Sequence, residues 1–255
     1  MHDGARLAGG TADVVWLGMM QRTESLAAAR QWLADRPTPT RVTVFIAATD
    51  GQYNVESFSL AGRRIQFCGH GALAAAFCVF EQHPDAHVAL AFSNGWHSWE
   101  AQQNAAADFN IQLRFAQPDV KAVDVPDFAP DCLGQLPLAA ALAGGDSDYL
   151  ILELESATDV ARLEPDFAAI CAATQRALIV TARADDDVVY RYFAPQYGEA
   201  EDAATGSAAV QLAGYWQPRL SSERFTARQL SATGALVELA CAGGKVEMAA
   251  RVGYG

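Results

Sequence analysis

Two runs of small and apolar residues, about half a chain apart, constrain this sequence more than any other feature. The first is Phe67-Cys68-Gly69-His70-Gly71-Ala72-Leu73-Ala74-Ala75-Ala76, and the second is Glu201-Asp202-Ala203-Ala204-Thr205-Gly206-Ser207-Ala208-Ala209-Val210. Hardly a polar atom occurs from 71 to 80, so a helix there has no face to give to water and must be wrapped by other elements. Upstream of each run lies a strand-like segment ending in Phe and then a glycine: 53–58 with Gly62, and 188–193 with Gly198. A chain that builds one unit twice is expected to form two lobes. We place them at 1–117 and 118–255, with the last strands free to return to the first lobe and the proline-rich stretch 117–130 as linker. A helix N-terminus offers unpaired N–H groups and partial positive charge. Two of them facing one gap are expected to hold a small anion such as a carboxylate.

Composition narrows the function. Thirty acidic residues against 18 basic ones give a net charge of −12. Nucleic acid and anionic membrane surfaces are poor partners for such a chain, because phosphate binding needs concentrated Lys and Arg. The five cysteines (68, 78, 132, 171 and 241) are odd in number and never form a C-x-x-C pair. Cys78 and Cys171 lie in helix-like apolar stretches and read as reduced core thiols of a cytoplasmic protein. No signal-like start and no run of 18 apolar residues occurs, so a soluble protein is expected.

Periodicity and turn residues predict strands at 13–17, 41–47, 53–58, 87–92, 110–115, 149–154, 177–181, 188–193, 236–240 and 245–249. Helices are predicted at 23–33, 71–80, 167–174 and 206–215. Asp50-Gly51 reads as a hairpin turn and Asp185-Asp186-Asp187 as a solvated turn. Mixed strands around single buried helices predict an α+β architecture in two related lobes. No nucleotide-binding glycine motif appears, so no cofactor is expected. His83 and His87 are four apart, but Pro84 lies between them and no third ligand is near, so no metal site is expected.

These residues also carry a resemblance. Phe193-Ala194-Pro195-Gln196-Tyr197-Gly198-Glu199-Ala200-Glu201-Asp202-Ala203-Ala204-Thr205-Gly206-Ser207-Ala208 closely resembles the F-x-P-x-x-G-x-x-E-D-P-A-T-G-S-A signature of the PhzF-like phenazine-biosynthesis family. Cys68-Gly69-His70-Gly71-Ala72-Leu73 is similar to that family's C/A-G-H-A/P-T-L element. Val180-Thr181-Ala182-Arg183 resembles a run before the signature, and Gly9-Gly10-Thr11-Ala12-Asp13-Val14-Val15 is a degraded likeness of G-G-N-P-A-A-V. The resemblance implies two pseudo-symmetric lobes, each a mixed β-barrel around a central helix as in diaminopimelate epimerase, with the active site in the cleft between them. It implies a cofactor-free isomerase or epimerase that moves a proton on a small carboxylated substrate, and a homodimer.

The resemblance places the family's catalytic histidine at His70, for which the plainer reading is a cap on the helix. It makes Asp202 a group that orients substrate and catalytic residues; alternatively its carboxylate satisfies the helix N-terminus. Ser207 with Gly206 and Ala208 can present a hydroxyl and backbone amides to a carboxylate, with Thr205 beside them as a further binding residue; the plainer reading of Ser207 is an ordinary serine in the first helical turn. Gly69 and Gly71 either let a ligand approach the backbone or simply permit the turn. Cys68 also resembles the first thiol motif of proline racemases, but 202–206 supplies no second thiol, which disfavours a two-thiol racemase. Cys68 either acts alone or is an inert buried thiol.

The family's general base is a Glu in an L-S-E-T-x-F-V run. The aligned run here is Thr40-Arg41-Val42-Thr43-Val44-Phe45-Ile46, with Val42 at the Glu position. Asp35 and Asp50 are near in sequence but out of alignment, and Ala203 replaces the signature proline. Two readings follow. One is an isomerase whose base is Cys68, His70 or Asp202. The other is a ligand-binding or regulatory protein that keeps the pocket without turnover. A cyclase or lyase using the same cleft is a weaker third.

Overall fold

A computed structural model describes residues 2–7, 10–49, 51–84, 89–103, 108–145 and 148–254 of the chain. The chain divides into two compact units, Met1–Phe115 with Glu247–Gly255, and Ala116–Val246.

In the first unit, strand Gly10–Met19 runs antiparallel to His2–Leu7 and parallel to Val42–Thr49. Val42–Thr49 forms a hairpin with Gln52–Phe58, which pairs in parallel with Leu90–Ser93. Ser98–Gln103 and Ile111–Ala116 follow antiparallel. The chain end returns here: Val252–Tyr254 pairs with His2–Leu7, and the Asn110 side chain bonds both backbone groups of Val252. Glu247 accepts from Gln112 Nε2 at 2.7 Å and from Arg114 Nη2 at 2.5 Å.

Strand Val42–Thr49 is buried on both faces, as its unbroken apolar middle requires. One face carries Phe45, which joins Phe58 and Ala29 under the amphipathic helix Arg22–Ala34. The other faces helix Gly69–Gln82, in which every residue from Gly69 to Phe80 is buried. That helix packs against Gly10–Met19, Val42–Thr49, Gln52–Phe58, Ser98–Gln103 and Val252–Tyr254. Its alanines let strands approach closely on every side.

The second unit repeats this logic with other strands. Tyr149–Glu153 lies antiparallel to Ala139–Ala143 and parallel to Ala177–Ala184. Asp187–Ala194 joins Ala177–Ala184 to Arg224–Gln229, and Ala235–Ala242 follows antiparallel. Helix Gly206–Trp216, also buried almost throughout, packs on Ala235–Ala242 and Val120–Val123. The opposite face of the sheet is covered by Ala157–Ala161 and Phe167–Ala173 over Leu178, Val180 and Phe193. The α+β class expected from the sequence is the one observed. Among the described residues no helix is long and apolar enough to cross a membrane.

Several expectations need correction. The stretch 117–130 is not a bare linker: it contributes edge strand Val120–Val123, paired with Ala139–Ala143. Ser98–Gln103, Ala139–Ala143 and Arg224–Gln229 form strands that the sequence did not announce. Ser98–Gln103 points only Trp99 and Ala101 inward, and Ala139–Ala143 is four-fifths alanine, a residue with little strand preference. Cys171 is exposed on helix Phe167–Ala173, so it is no core thiol, whereas Cys78 is buried. Asp185 adopts a positive φ of 57° in the aspartate turn, but Asp187 begins a strand and accepts from the Thr226 N–H at 2.8 Å. Gly9, Asp50, His87 and Val88 lie outside the described residues.

The sequence echo is a structural one. In each unit a long strand runs to a Phe (Phe58 at the end of Gln52–Phe58, Phe193 one residue before the end of Asp187–Ala194), turns at a glycine of positive φ (Gly62 at 70°, Gly198 at 93°), and pairs back as a short strand before the buried helix. A bidentate ion pair closes each turn. Arg64 Nε and Nη2 donate to Glu56 at 2.5 and 2.8 Å, and Arg191 Nε and Nη2 donate to Glu201, both at 2.7 Å. Glu56 and Arg191 each stand two residues before that Phe. Arg64 and Glu201 each stand four residues before the helix cap. The same clamp is therefore built twice with reversed polarity. Each arginine also holds a distant carbonyl, of Asn94 at 2.9 Å and of Leu163 at 2.6 Å.

The Glu56 side chain is only 1% exposed, and burial raises its pKa despite the attraction of Arg64. Removing either partner strands a charge in that setting. Glu56→Gln and Arg64→Ala are each expected to cost about 3 kcal/mol. Urea denaturation should show the double variant losing much less than the sum, as coupled neighbours do.

Candidate functional site

The first buried helix starts at Cys68, an extended residue (φ −118°, ψ 95°) that makes no side-chain cap, and its first turn holds no acidic residue. Three other helices of the chain are treated differently, although Ala129–Leu133 also starts without a side-chain cap. Asp166 accepts from the N–H groups of Ala168 and Ala169 at 2.9 and 3.0 Å, Ser156 accepts from Asp159, and Gln21 and Glu24 form a capping box. His70 lies in the first turn rather than at the cap position, and is buried. Cys68 Sγ stands 3.9 Å from His70 Nδ1, close enough for a weak hydrogen bond whose donor depends on the imidazole tautomer.

Gly71 is required by close packing. A Cβ there would lie 2.7 Å from Ser57 Oγ, 2.9 Å from Cys68 Sγ and 3.2 Å from Val44 Cγ2. Ser57 and Val44 are cross-strand partners, so the helix start rests on that point of the hairpin. Val42 is half-buried and two residues from Val44, hence on the same strand face. This face carries Val42, Val44 and Ile46, with no carboxylate. Asp35 closes the C-terminal end of helix Arg22–Ala34, where it accepts from Gln31 Nε2. Ser57 is a polar group at this point that sequence reading missed.

The second buried helix starts at Thr205, again without a side-chain cap, and Gly206 and Ser207 are buried in its first turn. Asp202 serves the turn ahead of the helix. Thr205 Oγ1 donates to its carboxylate at 2.7 Å, and the Ala204 N–H reaches it at 3.4 Å. Its alternative role as a cap on the helix amides is therefore not the one observed. Behind the turn stands fully buried Gln229. Its Oε1 accepts from the Thr205 N–H at 2.6 Å, and its Nε2 donates to the Asp202 carbonyl at 2.5 Å. Tyr190 and Ser231 donate to the carbonyls of Thr205 and Ala203. Burial, with help from the Asp202 charge, pushes the Tyr190 phenol well up and keeps it a neutral donor. Gln229 had one sequence signal: it follows Phe225 and Ala227 at the same alternate positions, a polar residue on an inward face.

The structure thus brings Cys68, Gly69, His70 and Gly71 to one uncapped helix end in the first unit. It brings Asp202, Thr205, Gly206 and Ser207 to another in the second. Among the described residues no group of three His, Cys, Asp or Glu could hold a metal. All five cysteines are free. Burial pushes the Cys78 thiol up to about 11, which suppresses its thiolate at pH 8. Half-buried Cys68 and exposed Cys171 should therefore take up iodoacetamide in the folded protein at pH 8. Cys78, Cys132 and Cys241 should be labelled only after unfolding, as peptide mass spectrometry can show.

Comparison with known proteins agrees with this architecture. A family model described as phenazine biosynthesis-like protein matches residues 29–249. An uncharacterized isomerase of Vibrio cholerae is 32% identical over 219 residues, spanning 82% of this chain and 74% of the relative. The crystal structure of a PhzF-family phenazine biosynthesis protein from Enterococcus faecalis shares the fold at a TM-score of 0.80, with 24% identity, covering 98% of this chain and 95% of that one. A hydroxyproline epimerase from Agrobacterium vitis shares it at 0.62, with 9% identity, covering 99% and 90%. The chain belongs to the PhzC-PhzF family of phenazine biosynthesis-like proteins.

Proposed function

We propose that this protein is a cofactor-independent isomerase or epimerase that moves a proton on a small carboxylated metabolite, acting as a cytoplasmic homodimer. The observation that carries the reading is the pair of buried helix ends that start without a capping side chain, where Arg22–Ala34, Ala157–Ala161 and Phe167–Ala173 each have one. Buried N–H groups need acceptors, and a carboxylate is a strong one. Gly69, Gly71, Thr205, Gly206 and Ser207 bind the substrate. Removing a proton from the carbon beside a carboxylate builds negative charge on its oxygens, and amide dipoles already aimed there stabilise that charge without reorganising. His70, with Cys68 beside it, is the proton-transfer group, and Asp202 orients the site through the turn it ties to Thr205. The isomerase name of the Vibrio cholerae relative and the epimerase with the same fold support the reaction class.

The second reading, a binder that has lost turnover, is favoured by one observation. Val42 stands on a wholly aliphatic strand face at the position where the family's Glu is expected.

Deuterium exchange separates the two. With a panel of small chiral carboxylates in D2O, NMR should show deuterium entering at carbon for at least one of them. His70→Ala should slow that exchange by about a hundredfold or more; an unchanged rate would remove His70 from the chemistry. If wild-type protein binds a carboxylate without exchanging it while Val42→Glu begins to exchange it, the binder reading holds instead.

A further inference from the structure

Strand Asp187–Ala194 sends alternate side chains to opposite faces of the sheet. Val189 and Phe193 join the cluster under Ala157–Ala161 and Phe167–Ala173, so Tyr190 and Tyr192 belong to the other face. There the Tyr190 hydroxyl donates to the Thr205 carbonyl at 3.3 Å, at the start of helix Gly206–Trp216. Tyr192 is the next side chain along, and the Asp202 N–H donates to its carbonyl at 3.3 Å. The Tyr192 ring therefore stands beside the Asp202–Thr205 turn that leads into the helix, with the Tyr149 ring 6.4 Å away.

The other tyrosines of this strand and turn, and the one on the helix, give their hydroxyls to the chain. Tyr190 donates to Thr205, Tyr197 to the Gln175 carbonyl at 2.7 Å, and Tyr215 to the Glu153 carboxylate at 2.5 Å. The Tyr192 hydroxyl has no hydrogen-bond partner among the described residues. Burial, then the neighbouring Tyr149 and Asp202, hold its pKa well above the ordinary phenol value, so it keeps its proton. A neutral phenol without an acceptor is a donor in waiting. A carboxylate has about four lone-pair positions, more than the amides at Gly206 and Ser207 fill, and it can take the phenol as well. We propose that Tyr192 is a further substrate-binding residue, whose hydroxyl donates a hydrogen bond to a carboxylate oxygen of the ligand held at the start of helix Gly206–Trp216. This inference rests on the carboxylate reading above and adds a side-chain donor to it.

Tyr192→Phe removes one oxygen that has no partner in the chain, so the urea midpoint should stay where it is. Tyr190→Phe, which loses the bond to Thr205, should lower it. The probes are acetate, lactate, malonate and succinate, with dissociation constants from calorimetry on the full-length protein. The acid that binds wild type most tightly should bind Tyr192→Phe about tenfold or more weakly, as expected for a lost hydrogen bond to a charged group. In protein isotope-labelled at the tyrosine Cζ, the NMR signal missing from Tyr192→Phe identifies Tyr192, and in wild type it should shift as that acid is added. Unchanged affinity in Tyr192→Phe, or a Tyr192 signal that stays in place at saturation, overturns the inference and leaves the carboxylate reading standing. A lowered urea midpoint or an unfolded Tyr192→Phe overturns it too, since the hydroxyl would then have its partner within the chain. If none of the acids binds wild type, the carboxylate reading falls and this inference with it.

Discussion

A helix with no polar face can exist only inside a shell of other elements, and burying it carries its unpaired N–H groups into the interior. The rest of this structure is arranged around that constraint. Gly69–Gln82 and Gly206–Trp216 are each enclosed in their own unit, and neither begins with a capping side chain. Unmet buried amides cost about 1–3 kcal/mol each, which a stable chain does not leave standing without compensation elsewhere. Ala157–Ala161 and Phe167–Ala173, in the second unit, each begin with a side chain that accepts from the helix amides.

Those ends are held by rigid surroundings. In the first unit, Gly71 lets the helix settle onto Ser57 and Val44, and the Glu56–Arg64 pair ties the short return strand to the long one. Arg64 also fixes the Asn94 carbonyl, while the Asn94 amide donates to the Gln66 carbonyl at 2.7 Å, so the segment leading to Cys68 is held along its length. In the second unit, the Arg191–Glu201 pair does the same work with its charges exchanged, and Gln229 bolts the Asp202–Thr205 turn from behind. An ion pair of either polarity can close the same turn, because the geometry needs one fork and one carboxylate and is indifferent to which strand supplies which. The two units thus preserve a mechanical device rather than particular residues.

How much was legible follows from what each signal depends on. The buried helices and the long strands stand out because apolar periodicity is a local property of consecutive residues. The strands at Ser98–Gln103, Ala139–Ala143 and Arg224–Gln229 were missed because their inward residues are few, small or polar, and only their neighbours make them strands. Cys171 misled because an alanine-rich run reads as core, yet the helix turns that side chain to solvent. Among candidate site positions, His70, Asp202 and Ser207 were named from motif and helix placement. Ser57 and Gln229 were not, since each gains its meaning from a partner far along the chain.

The amino-acid order by itself determined that this chain contains two all-round apolar helices, each preceded by a strand and a glycine turn, in an α+β setting. Those features follow from side-chain polarity and backbone freedom, which act within a few residues. Tertiary structure alone decided that the two buried helices start without capping side chains, and that Asp202 binds its own turn rather than the helix amides. Hydrogen bonding and burial are settled between residues distant in sequence, and no reading of neighbours can see them.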